Sequence, residues 1–453
     1  MASAAEQLFA NLNFDAFRKA DELKRRIWFS LGALVIYRLG TFIPVPGVDL
    51  THYAQVFNKA QGGFLGMFNM FSGGALERMA IFTLGIMPYI STSIIIQLLT
   101  SVVPQLEAIK KEGEAGRKRI NQYTRYGTVG LCALQAYGTA LGLESQNLAV
   151  EPGWFFRATT VITLVGGTIF LMWLGEQITA RGVGNGISLI IFAGIAASIP
   201  TSYVQLMDLA GKAAINQMWV PGVLIISVLV IAFIVFMERA QRRLLVQYPK
   251  RQMGNRMSQG DSSHLPLKLN TAGVIPPIFA SSLLLLPATF ASFEARNVGA
   301  GTGWDWLNTI NAWLARGSVL HELFYVAMIV FFCFFYTAVV FNTKETADNL
   351  KKYGGFIQGF RPGERTAQYL DYVLSRITVA GAIYLAIVCV LPEILTANVG
   401  IPIYLGGTSL LIAVSVTMDT IAQIQSHLLA HQYEGLIKRS KLRGSTSPAG
   451  RRR

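Results

Sequence analysis

The residues of this 453-residue chain best suited to nucleophilic, redox or metal chemistry are Cys132, Cys333 and Cys389, with His52, His264, His321, His427 and His431. Their placement argues against all three chemistries. The cysteines are far apart inside apolar segments, with neither redox nor metal-ligand spacing, and read as packing residues. No histidine falls mid-segment beside a Ser or Cys nucleophile, and no zinc-protease spacing occurs. An intramembrane enzyme would need a nucleophile–base pair that the sequence does not offer. With no phosphate-binding loop, the chain does not itself hydrolyse nucleotide.

Ionisable groups inside apolar segments are the next candidates, because ion-coupled transporters carry them near the membrane midplane. Arg38, in Tyr37-Arg38-Leu39-Gly40, is the clear case. A lone central Arg costs on the order of 2.5–3.5 kcal/mol on insertion scales. Snorkelling, or pairing with loop carbonyls near one face, would relieve that cost. Glu176, Glu393 and Asp419 lie towards segment ends, and no acid pair or proton relay emerges.

What remains is apolar or basic. Ile86 and Ile90 are four apart and share a helix face, as do Ile187 and Ile191. Such stiff, branched side chains can form a constriction that gates by dewetting; packing or lipid contact explains the same spacing. Two basic stretches are longer than helix joints require. The loop 239–268 holds Arg242, Arg243, Lys250, Arg251 and Arg256; the loop 343–376 holds Lys344, Lys351, Lys352, Arg361 and Arg365. Such loops can grip RNA phosphates or an acidic protein surface, or simply fix topology.

The elements that position these residues follow from composition. The chain is 52% hydrophobic and 14% charged, well below the roughly one quarter charged of soluble domains. Apolar stretches of spanning length fall near 25–44, 76–101, 124–143, 156–179, 185–206, 220–238, 271–293, 322–342, 377–397 and 404–427. In a bilayer these must be helices. Most of the 39 Lys and Arg fall in alternate gaps, which places both chain ends and both long loops in the cytoplasm. The net charge of +14 needs no nucleic-acid partner, since positive loops account for it. No cleavable signal peptide is expected in the polar first 26 residues.

Ten spans divide into an N-terminal half, 25–206, and a C-terminal half, 220–427. The first starts inside and the second outside, as in an inverted repeat. A cytoplasmic segment 1–24, an external hinge loop 207–219 and a cytoplasmic tail 428–453 complete the division. Within 64–76, the run Phe64 to Phe71 is apolar but too short to span and is followed by the breaker Ser72-Gly73-Gly74; a re-entrant element or a surface amphipathic helix fits it. Span 2 carries Pro88 inside it and span 7 carries Pro276-Pro277 and Pro287, which points to a mobile or functional interface between the halves.

Several strings then carry a resemblance. Ile43-Pro44-Val45-Pro46-Gly47 after Tyr37-Arg38-Leu39-Gly40, Met67 through Leu76, Gly85-Ile86-Met87-Pro88-Tyr89-Ile90, Leu174-Gly175-Glu176-Gln177-Ile178-Thr179 and Gly406 through Ile412 resemble the SecY/Sec61-alpha family of protein-conducting channels. The similarity runs in order from about residue 12 to 442. It implies an all-α membrane protein of ten helices, in two inverted five-helix halves around an hourglass pore with a short plug helix. It implies an apolar pore ring of Ile86, Ile90, Ile187, Ile191, Ile278 and Ile412, and a plug including Phe68, Phe71, Ser72, Gly73 and Gly74. The lateral gate to lipid would include Ser91, Gln135 and Asn270. Motor or ribosome docking would use Arg242, Arg243, Lys250, Arg251, Arg256, Lys351, Lys352 and Arg361. The partners implied are SecE and SecG, the SecA ATPase, the ribosome with its rRNA, secretory or nascent polypeptides, and lipids of the bacterial inner membrane. No cofactor, metal or enzymatic activity is implied. An inverted-repeat secondary transporter is the competing reading; it needs the midplane polar site that the sequence lacks.

Overall fold

The computed structural model describes residues 21–60, 69–212, 219–248, 252–253, 256–257, 262–294, 319–399 and 407–444. Its N-terminal half contains α1 (Asp21–Gly40), α2 (Leu50–Ala60), α3 (Met87–Val102), α4 (Pro104–Lys111), α5 (Glu114–Ser145), α6 (Trp154–Arg181) and α7 (Gly186–Gly211). The C-terminal half contains α8 (Trp219–Arg239), strands β1 (Gln241–Gln247), β2 (Gln252–Met253), β3 (Arg256–Met257) and β4 (Ser262–Lys268), then α9 (Ile275–Glu294), α10 (Val319–Val340) and α11 (Thr343–Lys352). Strand β5 (Phe356–Ile357) and helices α12 (Glu364–Val399) and α13 (Gly407–Gly444) complete it.

Each expected span contains a helix over most or part of its length. Among the described residues, six helices are long and apolar enough to cross a membrane, or seven if the α3–α4 pair, bent by 97° at Val103, is counted as one span. Helices α1, α5 and α9 occupy the other three spans. Pro104 opens α4, and the residue before a proline is pushed out of helical geometry, which accounts for the bend. Several helices approach closely through glycine, as packing in lipid requires where no hydrophobic force drives association. A Cβ on Gly407 would stand 1.7 Å from the Val388 carbonyl oxygen, and one on Gly186 2.0 Å from that of Gly175.

The second span departs from expectation. Its helix begins at Met87, whereas a continuous helix over 76–101 was expected. Residues 72–86 form a chain of turns, with positive φ at Gly73, Gly74, Met79 and Gly85, which an α-helix cannot absorb. Irregular backbone at membrane depth needs protein around it, and this segment has it. Val45 donates its N–H to Met79 O (2.8 Å) and Ile81 donates to Ile43 O (2.9 Å). Phe82 is stacked between Tyr37 and Phe170, with ring centroids 6.1 and 5.9 Å away. Pro88 consequently does not kink a helix but lies in the first turn of α3, where its missing N–H costs nothing. Pro276 and Pro277 likewise fall in the first turn of α9.

The halves meet along two seams. On one side α3 and α5 pack against α9; on the other α7 packs against α13 and α8, with α1 touching α13. The main apolar core runs through both, and buried residues from each half, such as Ile90, Leu174, Phe332 and Leu411, share one cluster.

The two long basic loops were expected to project as a pair, with no contact between them specified. They are joined to each other. β1 and β4 form an antiparallel hairpin with Leu244 opposite Leu265, and β5 from the second loop adds to β1 with Val246 opposite Ile357. Leu244, Val246, Leu267, Ile357, Leu370 and Val373 form a small core beneath this sheet.

Candidate functional site

The six isoleucines singled out in the sequence all belong to the main apolar cluster or pack against it. Ile86, Ile90, Ile191 and Ile412 are buried within the main apolar cluster, and Ile187 and Ile278 pack against it partly buried. Each lies at or near the start of its helix. Ile86 is the residue before α3, and Ile187 is fixed by Asn185, whose side chain caps α7 by accepting the Ile187 N–H (3.1 Å). Two helices of each half supply them, α3 and α7 against α9 and α13.

Part of the expected plug is described. Phe68 lies outside the described residues. Phe71 is half-buried against the main cluster, and Ser72 and Gly73 are buried. The turn beginning at Asn69 is closed locally: Ser72 Oγ donates to Asn69 O (3.0 Å) and accepts from Leu76 N (3.3 Å), while Gly74 donates to Asn69 O (2.8 Å). Its outward-facing carbonyls are taken by other elements. Tyr37 Oη donates to Ser72 O (3.1 Å), the Arg38 guanidinium to Gly73 O, and Tyr53 Oη to Leu76 O (2.7 Å). Arg38 therefore pairs with a loop carbonyl, one of the two outcomes its position allowed. Tyr53 is aimed by Asp49, which caps α2 by accepting from the backbone of Thr51 (3.0 Å) and His52 (3.3 Å). The Thr51 hydroxyl, followed by His52, holds the Asp49 carboxyl well below the usual carboxylate range.

Ser91 on α3 and Asn270 before α9 are buried, and Gln135 on α5 is half-buried. All three belong to elements at the α3–α5–α9 seam. Among the described residues no hydrogen bond links their side chains. Asn270 instead donates to Glu238 Oε1 (2.7 Å), at the end of α8, and to Gly273 O (3.1 Å). Sequence reading missed Glu238; its only signal was an acid immediately before the basic run from Arg239. Glu238, Lys268, Asn270 and Asp419 line a cavity of about 560 Å³, which Asn185 and Ser188 of the N-terminal half also line. Sequence reading also left unpaired Glu176, which receives a two-pronged bond from Arg125 on α5 (2.9 and 2.7 Å).

Of the expected docking residues, Arg242 and Arg243 lie exposed on β1, and Lys351 and Lys352 end α11 exposed. Arg361 is exposed after β5, its carbonyl accepting from Thr366 Oγ1 (2.8 Å). Lys250 and Arg251 lie outside the described residues, and Arg256 is described only as part of β3. The paired β1 and β5 bring the two loops to the same end of the bundle. Among the described residues no group of His, Cys, Asp and Glu could hold a metal ion.

Comparison with known proteins agrees with this architecture. The family model described as SecY matches residues 80–421. The protein translocase subunit SecY of Escherichia coli K12 is 53% identical over 430 residues, covering 93% of this chain and 96% of that protein. The corresponding subunit of Rickettsia bellii is 51% identical over 438 residues, covering 96% and 100%. A solved protein conducting channel matches with a TM-score of 0.66 at 17% identity, over 90% of this chain and 93% of that one. Sec61 in the canine ribosome-channel complex from the endoplasmic reticulum matches with a TM-score of 0.64 at 17% identity and the same coverage. The structural likenesses speak for the fold, and the sequence relatives fix the family: the chain is a multi-pass membrane protein that belongs to the SecY family.

Proposed function

We propose that this chain is a protein-conducting channel, passing unfolded secretory polypeptides across the bacterial inner membrane and releasing apolar segments sideways into lipid. The observation that carries the reading is that Ile86, Ile90, Ile187, Ile191, Ile278 and Ile412, from both halves, all belong to one apolar cluster or pack against it. A transported chain varies in sequence, so its constriction must avoid specific hydrogen bonds; branched aliphatic side chains seal around any sequence and shed water when empty. The segment 64–76 acts as the plug, and the α3–α5–α9 seam acts as the lateral gate. The segment 207–219 is the hinge between halves 25–206 and 220–427.

Energy comes from a partner, because the chain has no nucleotide-binding motif. The loops 239–268 and 343–376, tied into one sheet, receive a SecA-type motor ATPase or the ribosome on the cytoplasmic side, where both chain ends lie. SecE and SecG complete the membrane complex. Purified chain assembled with SecE in proteoliposomes, given SecA and ATP, should protect an added preprotein from external protease. Absence of protection with an active motor would refute the channel reading.

A further inference from the structure

The turn segment 69–76 is held by side chains of elements that precede it in the chain. Tyr37, fully buried at the end of α1, donates to Ser72 O; Arg38 donates to Gly73 O; Tyr53, buried on α2, donates to Leu76 O. The fit is tight as well as bonded. Gly73 has φ +69°, and a Cβ there would stand 2.8 Å from Tyr37 Oη and 3.0 Å from Gly194 Cα of α7. A Cβ on Gly194 would in turn press on Phe71 O (3.0 Å) and Gly73 N (3.1 Å). The segment therefore sits in a seat built by α1, α2 and α7, with three side-chain donors on three of its carbonyls. Nothing local demands this, since the turn closes its own bonds through Asn69 and Ser72.

We propose that Tyr37, Arg38 and Tyr53 are positioning residues that latch the plug in its seat, and that their three hydrogen bonds are broken together when the channel opens. The proposal rests on the plug reading above and adds what holds it. Each donor is lost without loss of bulk in Tyr37→Phe and Tyr53→Phe, while Arg38→Gln removes the charged donor and Arg38→Lys keeps one. Each hydroxyl removed should raise the unseated fraction by roughly fivefold, the value of an ordinary hydrogen bond.

The test uses the full channel complex with Phe71→Cys as a reporter; the native cysteines are all buried. Two quantities are read without substrate: the rate at which an impermeant thiol reagent modifies Cys at 71, and resting ion conductance in planar bilayers. The latch predicts that both rise in Tyr37→Phe, Tyr53→Phe and Arg38→Gln, with Arg38→Lys closer to the parent. Unchanged modification in all three, whatever the conductance, overturns the latch. Faster modification with unchanged conductance supports the latch and refutes the plug role beneath it. Should Arg38→Gln fail to assemble, Gly194→Ala crowds the seat from α7 and must also raise modification.

Discussion

The amide of Asn270 is donated to the carboxylate of Glu238 at 2.7 Å, joining the start of α9 to the end of α8 across the base of the basic hairpin. Leu269 donates to Ala240 O (2.9 Å) beside it, so both strands of the hairpin leave the membrane end at a fixed angle. The proposed gate helix is thereby tied to its own half. Asn270→Ala would strip a half-buried carboxylate of its side-chain donor, at about 1–3 kcal/mol. Thermal unfolding of the purified channel should show a lower midpoint, and Asn270→Ala with Glu238→Gln should recover part of it. An unchanged midpoint in Asn270→Ala would mean that water replaces the amide fully.

Glu144, whose side chain is 1% exposed, receives Arg157 through both Nε (2.9 Å) and Nη2 (2.8 Å), and also the Gly153 N–H (3.2 Å). The pair staples α5 to α6 at the end away from the basic loops. Arg157→Ala should lower the thermal unfolding midpoint, because it takes the guanidinium away from a buried carboxylate. Glu144→Leu with Arg157→Ala should be far milder. A double-mutant cycle on thermal unfolding checks this; equal losses for the single and double variants would contradict it.

Val246 and Ile357 lie opposite each other where β5 joins β1, over the small core that includes Leu244 and Leu370. Ile357→Asp places a charge in that core and should loosen both loops. Limited proteolysis should then cut faster within 239–268, although the substitution is in 343–376. Arg361→Glu, on the exposed surface, should leave proteolysis and membrane assembly unchanged while weakening motor-driven transport by tenfold or more. A parallel loss of assembly would reassign Arg361 to folding.

Ile86 and Ile278 belong to opposite halves and to one apolar cluster. Ile86→Asn combined with Ile278→Asn offers hydrogen bonds to water where the proposed constriction should be dry. Resting conductance in planar bilayers should rise several-fold. Unchanged conductance would count against a dewetted ring.

The ten spans were legible because apolar length and charge asymmetry are local properties of the chain. The isoleucines were legible only through the family resemblance, since their four-residue spacing also suits packing. What escaped was non-local or set by backbone. Residues 76–86 are as apolar as a helix would be, yet the turns at Gly73, Gly74, Met79 and Gly85 and the Phe82 stack hold them irregular. The Asn270–Glu238 and Arg125–Glu176 pairs join residues 32 and 51 apart, with no spacing rule to reveal them. The short β5 has too few residues to announce itself, and exists because β1 offers it an edge.

The central claim is that a polypeptide passes through the isoleucine cluster. A secretory chain arrested midway, carrying one cysteine in its transmembrane stretch, tests it by disulfide capture. The account predicts capture by Cys introduced at Ile86, Ile191, Ile278 or Ile412, and none by Cys at the exposed positions Leu229 and Phe236 of α8. Capture at Leu229 or Phe236 with none at the four isoleucines would place the path outside the cluster and contradict the account.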